Sequence, residues 1–168
     1  DFSCFWDFDG FLSLLKKSDG VIATYAGIHP DMIRSTKFAY AQCEGNRVLK
    51  IREKNAFTKF PMSEPASSGT YGFRSGQLLI GAINEQIEQG FDLDGELYTS
   101  LTYLPLLARG LDVRVFPIDR FFQWGTPEDL EDFIGAYKVF EEIASCQEST
   151  ESDASIVLLA GGLGKRFS

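Results

Sequence analysis

The chain is short of the residues that build covalent or metal-held frameworks. Of its 168 residues only three are cysteines, Cys4, Cys43 and Cys146, and one is a histidine, His29. The cysteines are odd in number, far apart and without a CxxC pair, which argues against a disulfide scaffold or a zinc-organised fold. A reducing compartment fits such usage, so a cytoplasmic location is expected. His29 stands beside Pro30 with no cysteine or carboxylate at ligand spacing and reads as an ordinary loop residue. Cations are outnumbered, 16 Lys and Arg against 24 Asp and Glu, for a formal net charge of −8. A surface with that balance does not broadly attract nucleic acid or an anionic membrane, so any phosphate must be met by a local site. Also missing is any apolar run near the ~20 residues that a bilayer crossing requires. The first residues show no basic stretch leading into an apolar one.

What is present suffices for a folded domain. The hydrophobic share of 44% and aromatic share of 14% can build a sizeable core, and the length suits one domain of roughly 100 to 200 residues. A helix is predicted from Asp7 or Asp9 through Lys17, with a carboxylate as N-cap. Val21–Tyr25 is a β-rich run. Phe38–Cys43 and Arg47–Ile51 alternate in polarity around Glu44-Gly45-Asn46 and read as a hairpin. Residues 55–67 read as a loop and Gly69–Phe73 as a strand. Ser75 caps a helix whose apolar positions Leu78, Leu79, Ala82, Ile83 and Ile87 recur at helical spacing up to Gly90. Asp94 is expected to cap a further helix from Gly95 to Ala108, kinked or broken at Pro105. A strand follows from Asp112 to Ile118. Thr126-Pro127-Glu128-Asp129 combines an N-cap, a proline at the first helical position and first-turn acids, opening a helix through Ala144. Strands alternating with helices imply an α/β domain with a largely parallel sheet carrying a hairpin excursion. No internal repeat is visible within 1–144. Residues 145–154 are polar and acidic and read as a linker, after which a new strand starts at Ser155.

That final strand runs into Leu159-Ala160-Gly161-Gly162-Leu163-Gly164-Lys165-Arg166. Its glycines permit positive φ and bring successive N–H groups to an anion, while Lys165 and Arg166 add charge. The alternative is a tight turn between a buried strand and a helix. Such a loop opens phosphate-binding domains, and the chain starts without Met, so an excised piece of a longer protein is expected. The divisions are then 1–144, the linker, and 155–168 as the start of a second nucleotide-binding domain.

Three stretches together resemble one family, the nucleotidyltransferases that couple a nucleoside triphosphate to a sugar 1-phosphate. The glycine run resembles their opening loop, Val48-Leu-Lys-Ile-Arg-Glu-Lys54 their strand ending in Glu-Lys-Pro, and Gly125-Thr-Pro-Glu-Asp-Leu130 their late turn and helix. The order of Asp19-Gly-Val, Glu53-Lys54, Ser68-Gly69, Gly95-Glu96-Leu-Tyr98 and Gly125-Thr-Pro127 follows the C-terminal half of that family. The resemblance covers residues 1 to 135, with the opening loop of a second copy at 155 to 168. It implies a Rossmann-like nucleotidyltransferase sheet, mostly parallel and partly mixed, flanked by helices and incomplete. It further implies formation of an NDP-sugar and pyrophosphate from an NTP and a sugar 1-phosphate, with Mg²⁺ as cofactor, in the making of nucleotide sugars for surface polysaccharide.

On that resemblance Leu159, Ala160, Gly161, Gly162, Gly164, Lys165 and Arg166 bind the nucleotide, with Arg166 also catalytic. Asp1 is catalytic and a Mg²⁺ ligand. Glu53 accepts hydrogen bonds from sugar hydroxyls, Lys54 contacts the sugar phosphate, Gly69 lets the sugar approach backbone, and Glu96 lies near the sugar. Each has a plainer reading: Glu53 and Lys54 as an exposed ion pair, Gly69 as a strand glycine, Glu96 as a first-turn helix acid. Asn55 replaces the family's proline. Gln123 stands where many relatives have a second metal-binding aspartate, and an amide is a poorer Mg²⁺ ligand than a carboxylate. That departure keeps open a non-catalytic sugar-phosphate-binding or regulatory domain. A cytidylyltransferase acting on an alcohol phosphate such as phosphocholine is a further alternative, and a homo-oligomer is left open. The chain itself is expected to be inactive, because the base-binding segment is not in it. Asp7-Phe8-Asp9-Gly10 also resembles the nucleophile motif of haloacid-dehalogenase-type phosphatases, though Phe11 occupies its Thr or Val position.

Overall fold

A computed structural model describes residues 2–27 and 37–147. The chain divides into two compact units, Asp1–Ile134 and Gly135–Ser168. Of the second, the described part is the remainder of one helix.

In the first unit the chain opens with strand β1 (Phe2–Phe5) and helix α1 (Phe8–Leu15), followed by β2 (Gly20–Tyr25). Asp7 is the N-cap of α1, its Oδ1 accepting from the Gly10 N–H at 2.9 Å. A Cβ on Gly10 would lie 2.2 Å from the Asp7 carboxylate, so the Asp-x-Asp-Gly spacing here serves a helix cap. Next come β3 (Ala39–Glu44), β4 (Arg47–Glu53) and β5 (Ala66–Phe73), then helix α2 (Gly76–Gln89). Ser75 caps α2 by accepting from Leu78 N–H, and Gly90 ends it in the left-handed conformation, as its sequence predicts. A 3₁₀ turn (Thr99–Thr102) leads into α3 (Tyr103–Ala108), and β6 (Val113–Pro117), β7 (Arg120–Gln123) and α4 (Pro127–Gln147) complete the described chain.

β2 is the pivot of the sheet. It pairs antiparallel with β5 and parallel with β6, and all six of its residues are buried. Its alternation divides the core. Ile22 joins Val48, Ile51, Ala82, Tyr103, Leu106 and Val113 on one side, while Val21, Ala23 and Tyr25 join Phe11, Tyr40, Ile118 and Phe121 on the other. Helices α2 and α3 thus cover one face and α1 the other, which is why β2 reads as a continuous apolar run. The fold is mixed α/β, as predicted.

The sheet itself differs from prediction. Five strands follow the order β2-β5-β3-β4-β6 and close on themselves, β4 meeting β6 at Arg47↔Arg114, while β1 and β7 form a separate antiparallel pair. Only β2 with β6 is parallel among the described ladders. A parallel neighbour needs a long crossover, and between β3 and β5 the chain meets only a hairpin and a 3₁₀ turn at Pro61–Ser63, so these strands return antiparallel. The mostly parallel, Rossmann-like sheet is therefore corrected to a mixed, predominantly antiparallel one.

Two further expectations change. The helix placed at Gly95–Ala108 does not start at Asp94. Asp94 and Gly95 take φ of 54° and 80° as the centre of a tight turn in which Leu93 and Glu96 exchange both backbone hydrogen bonds at 3.0 Å. Asp-Gly with both residues left-handed is a hairpin turn, and it wins over capping. Pro105 falls in the first turn of α3, where its missing N–H costs nothing. Among the opening aromatics, Trp6 packs on Phe11 with ring centroids 5.0 Å apart, whereas Phe2, Phe5 and Phe8 are exposed. Helix α4 opens as predicted. Thr126 Oγ1 accepts from Asp129 N–H at 3.2 Å and the Asp129 carboxylate accepts from Thr126 N–H at 3.1 Å. It runs to Gln147, past the expected end at Ala144.

Candidate functional site

The residues that gather most polar chemistry lie where β4 ends. Glu53 is the last residue of that strand, and Lys54 follows with φ of 54°, a left-handed value that non-glycine residues adopt at some cost. The Lys54 N–H donates to Phe38 O at 2.9 Å, which holds the turn closed. The side chains of Glu53 and Lys54 then meet the extended stretch after the Asp94-Gly95 turn.

Three residues matter: Glu96 and Tyr98 in that stretch, and Ser100 in the 3₁₀ turn that follows. Tyr98 is extended, with φ −100° and ψ 138°. The Lys54 ammonium donates to the Tyr98 hydroxyl, which in turn donates to the Glu96 carboxylate. Lys54 Nζ also stands 4.4 Å from the centroid of the Tyr98 ring, at its hydroxyl end. Ser100, 1% exposed, donates its hydroxyl to Glu53 Oε2. Two carboxylates, one ammonium and two hydroxyls thus form an arrangement with donors and acceptors for a polyhydroxylated anion.

The electrostatics follow from this packing. Burial pushes the Glu53 carboxyl above its ordinary value; Ser100 and Lys54 oppose that rise and Glu96 adds to it. The Lys54 ammonium is raised chiefly by its hydrogen bond to Tyr98, with help from the Glu96 and Glu53 carboxylates. Burial pushes the Tyr71 hydroxyl up to about 12, against the hydrogen-bonding influence of Ser67 and Ser100, so Tyr71 stays a neutral donor beside Glu53.

Glu53, Lys54 and Glu96 are therefore brought together. Glu96 is exposed in an extended segment, not a first-turn helix acid. Gly69 has φ of 82° and sits where the β2–β5 register slips between Ile22↔Tyr71 and Thr24↔Ser67, a bulge that needs glycine. A Cβ added there would come within 3.7 Å of the Phe2 ring, and Phe2 is paired with Gln123 across β1 and β7. Gly69 and Gln123 thus share Phe2 as a neighbour. The Gln123 amide nitrogen lies 2.7 Å from where a Cβ on Gly125 would stand, so this turn accepts only glycine without rearrangement. Asp1 and the run Leu159, Ala160, Gly161, Gly162, Gly164, Lys165 and Arg166 lie outside the described residues, as does His29.

Among the described residues no group of three or more His, Cys, Asp or Glu could hold a metal ion. Nor is any described helix long and apolar enough to cross a membrane.

Sequence reasoning missed Tyr98 and Ser100 as site residues. In the helix expected over 95–108, positions 96 and 98 point apart. In the chain that forms instead, 96 and 98 share a side of extended backbone, and Ser100 follows in the 3₁₀ turn. The available signal was the Asp-Gly pair, which marks a tight turn and so an extended continuation.

No protein-family model matches the sequence, and no curated protein does. Among solved structures the chain is similar to the nucleoside-diphosphate-sugar pyrophosphorylase from Vibrio cholerae RC9, with 26% sequence identity and a TM-score of 0.58. The match covers 71% of this chain and 48% of the other, so the chain spans about half the length of that structure.

Proposed function

We propose that this chain is the acceptor-binding part of a nucleotidyltransferase that joins an NTP to a sugar 1-phosphate. The observation that carries the reading is the Glu53–Ser100 and Lys54–Tyr98–Glu96 arrangement at the end of β4. Two separate features support it: the order of the motifs along the chain, and the likeness to a solved nucleoside-diphosphate-sugar pyrophosphorylase.

In this reading Glu53 accepts hydrogen bonds from sugar hydroxyls, with Ser100 holding the carboxylate in one orientation. Lys54 meets the sugar phosphate, its charge maintained by Tyr98. Gly69 gives the sugar access to backbone, and Glu96 lies at the sugar's edge. A phosphate oxygen of the sugar phosphate attacks the α-phosphorus of the NTP. The new P–O bond forms as the bond to the bridging oxygen of the β-phosphate breaks, releasing pyrophosphate. No covalent enzyme intermediate is needed, and catalysis reduces to alignment and charge stabilisation. The glycine run 159–164 with Lys165 and Arg166 is proposed for the triphosphate of a nucleotide-binding domain beginning near 155, after a linker that follows the end of α4 at Gln147. Asp1 is proposed as a ligand of Mg²⁺, which when bound would neutralise charge at the α-phosphate.

The test uses the protein at its full natural length, with a panel of NTPs and sugar 1-phosphates, following pyrophosphate release and acceptor binding by calorimetry. Turnover lost in Glu53→Gln and Lys54→Met supports the reading. No binding of any NTP and no pyrophosphate with any acceptor sinks it. Gln123 motivates a second reading, a sugar-phosphate-binding or regulatory domain without metal chemistry. Retained acceptor binding with no Mg²⁺-dependent turnover, unchanged in Gln123→Asp, selects it. Phosphocholine in the panel checks the alcohol-phosphate alternative.

A further inference from the structure

We infer that Gln86 is the positioning residue of this site: from the last turn of α2 it fixes both ends of the Tyr98–Thr102 segment and so sets Tyr98 against Lys54 and Ser100 against Glu53. The inference rests on the acceptor-site reading above and extends it to a residue that touches no substrate.

Gln86 is 3% exposed, although it lies on a surface helix whose other amides face water. Its side chain makes three hydrogen bonds, two donated and one accepted. The amide nitrogen donates to Phe91 O at 3.0 Å and to Tyr98 O at 3.1 Å, and the amide oxygen accepts from the Thr102 hydroxyl at 2.7 Å. The latter two partners lie at the two ends of a five-residue stretch, and between them stand the groups that reach the site: the Tyr98 hydroxyl, bound to Lys54, and the Ser100 hydroxyl, bound to Glu53. The third partner, Phe91, lies just beyond the end of α2, before the Asp94-Gly95 turn. One buried amide therefore ties the turn and the 3₁₀ segment to a helix.

The geometry selects an amide of this length. A carboxylate could accept from Thr102 but could not donate to the two carbonyls, and Asn is one methylene short of them. Nor can an apolar side chain satisfy two partly buried carbonyls. Because α2 is capped at both ends by Ser75 and Gly90, Gln86 is carried on a fixed element, which is the condition for positioning another side chain within a fraction of an ångström.

The test is Gln86→Met in the full-length protein, close to isosteric and without polar hydrogens. Three quantities are read: affinity for glucose 1-phosphate and related sugar 1-phosphates, affinity for NTP, and the titration of Lys54 followed by NMR of its labelled side chain. Lys54 is faced by Tyr98, Glu96 and Glu53, and Tyr98 is the chief cause of its raised value. The expected result is about tenfold weaker acceptor binding, the scale of one lost hydrogen bond, with NTP affinity unchanged and the Lys54 titration moved down toward that of an ordinary lysine. A residue that only holds the fold together would lower the melting temperature and leave the Lys54 titration and the acceptor-to-NTP ratio where they were, and that result overturns the inference. If Gln86→Met does not fold, Thr102→Val decides: it releases one end of the segment, and wild-type acceptor affinity with a wild-type Lys54 titration overturns the inference. If the wild-type protein binds no sugar 1-phosphate, the acceptor-site reading fails, and the Lys54 titration alone judges Gln86.

Discussion

Replacing Ser100 by alanine isolates one contact of the site with little change of volume. Ser100 is buried and its hydroxyl donates to the half-buried Glu53 carboxylate. A hydrogen bond to a charged group contributes about 1.5 to 3 kcal/mol. Glu53 is only partly withdrawn from water, so the lower end applies and about 1.5 kcal/mol of stability should be lost at pH 7, or ~4 °C in melting temperature for a domain of this size. The loss should depend on pH in a defined direction. Burial raises Glu53 above its ordinary value, so its own contribution to stability is present below the unfolded-state value and is lost as pH rises through the folded one. Ser100 opposes that rise by favouring the charged form. Removing it therefore moves Glu53 further up and costs most where Glu53 is ionised. At about pH 4, below the ordinary carboxylate value, Glu53 is protonated in both proteins and the difference should shrink to that of a neutral hydrogen bond, about 1 kcal/mol or less. Urea unfolding of wild type, Ser100→Ala, Glu53→Gln and the double variant, at both pH values, completes a thermodynamic cycle. A cost that is equal at the two pH values, or additive with Glu53→Gln at pH 7, refutes the assignment of this hydrogen bond to an ionised Glu53.

Gly20→Ala should cost about 1 to 3 kcal/mol, because its Cβ would lie 2.6 Å from Cε1 of Tyr103. Tyr103 is fully buried and held by its hydroxyl to Gly72 O at 2.8 Å, so the ring has nowhere to retreat, and an unchanged melting curve contradicts this packing. Lys54→Gly removes the left-handed strain at that position; the variant should melt no lower than wild type while binding sugar phosphate more weakly, and equal binding disconnects Lys54 from the site. The Cys43 thiol, pushed up to about 11 by burial, is neutral at pH 8 and should react with iodoacetamide far more slowly in the folded protein than in urea. Equal rates by mass spectrometry would place Cys43 outside the core.

Local physics made much of this protein legible in its sequence. Ser75 and Gly90 bound α2 because capping is a matter of a few neighbouring atoms. Thr126, Pro127 and Asp129 open α4 for the same reason, and Gly45 closes the β3–β4 hairpin with φ of 59°. Glu53, Lys54 and Glu96, named on a family resemblance, lie close enough to act on one another electrostatically. What residue patterns could not settle was pairing between distant strands. Alternation of strands and helices does not say which strands become neighbours, so β5 beside β2 and β7 beside β1 appear only in the folded chain. The same holds for the site. Tyr98, Ser100 and Gln86 lie 44, 47 and 12 positions from the partners that define them, Lys54, Glu53 and Tyr98. Their roles depend on a turn at Asp94-Gly95 that local preference could equally have read as a helix cap. Capping and turn chemistry are decided within a few residues, whereas a buried amide acquires its meaning from whichever carbonyls tertiary packing leaves for it to satisfy.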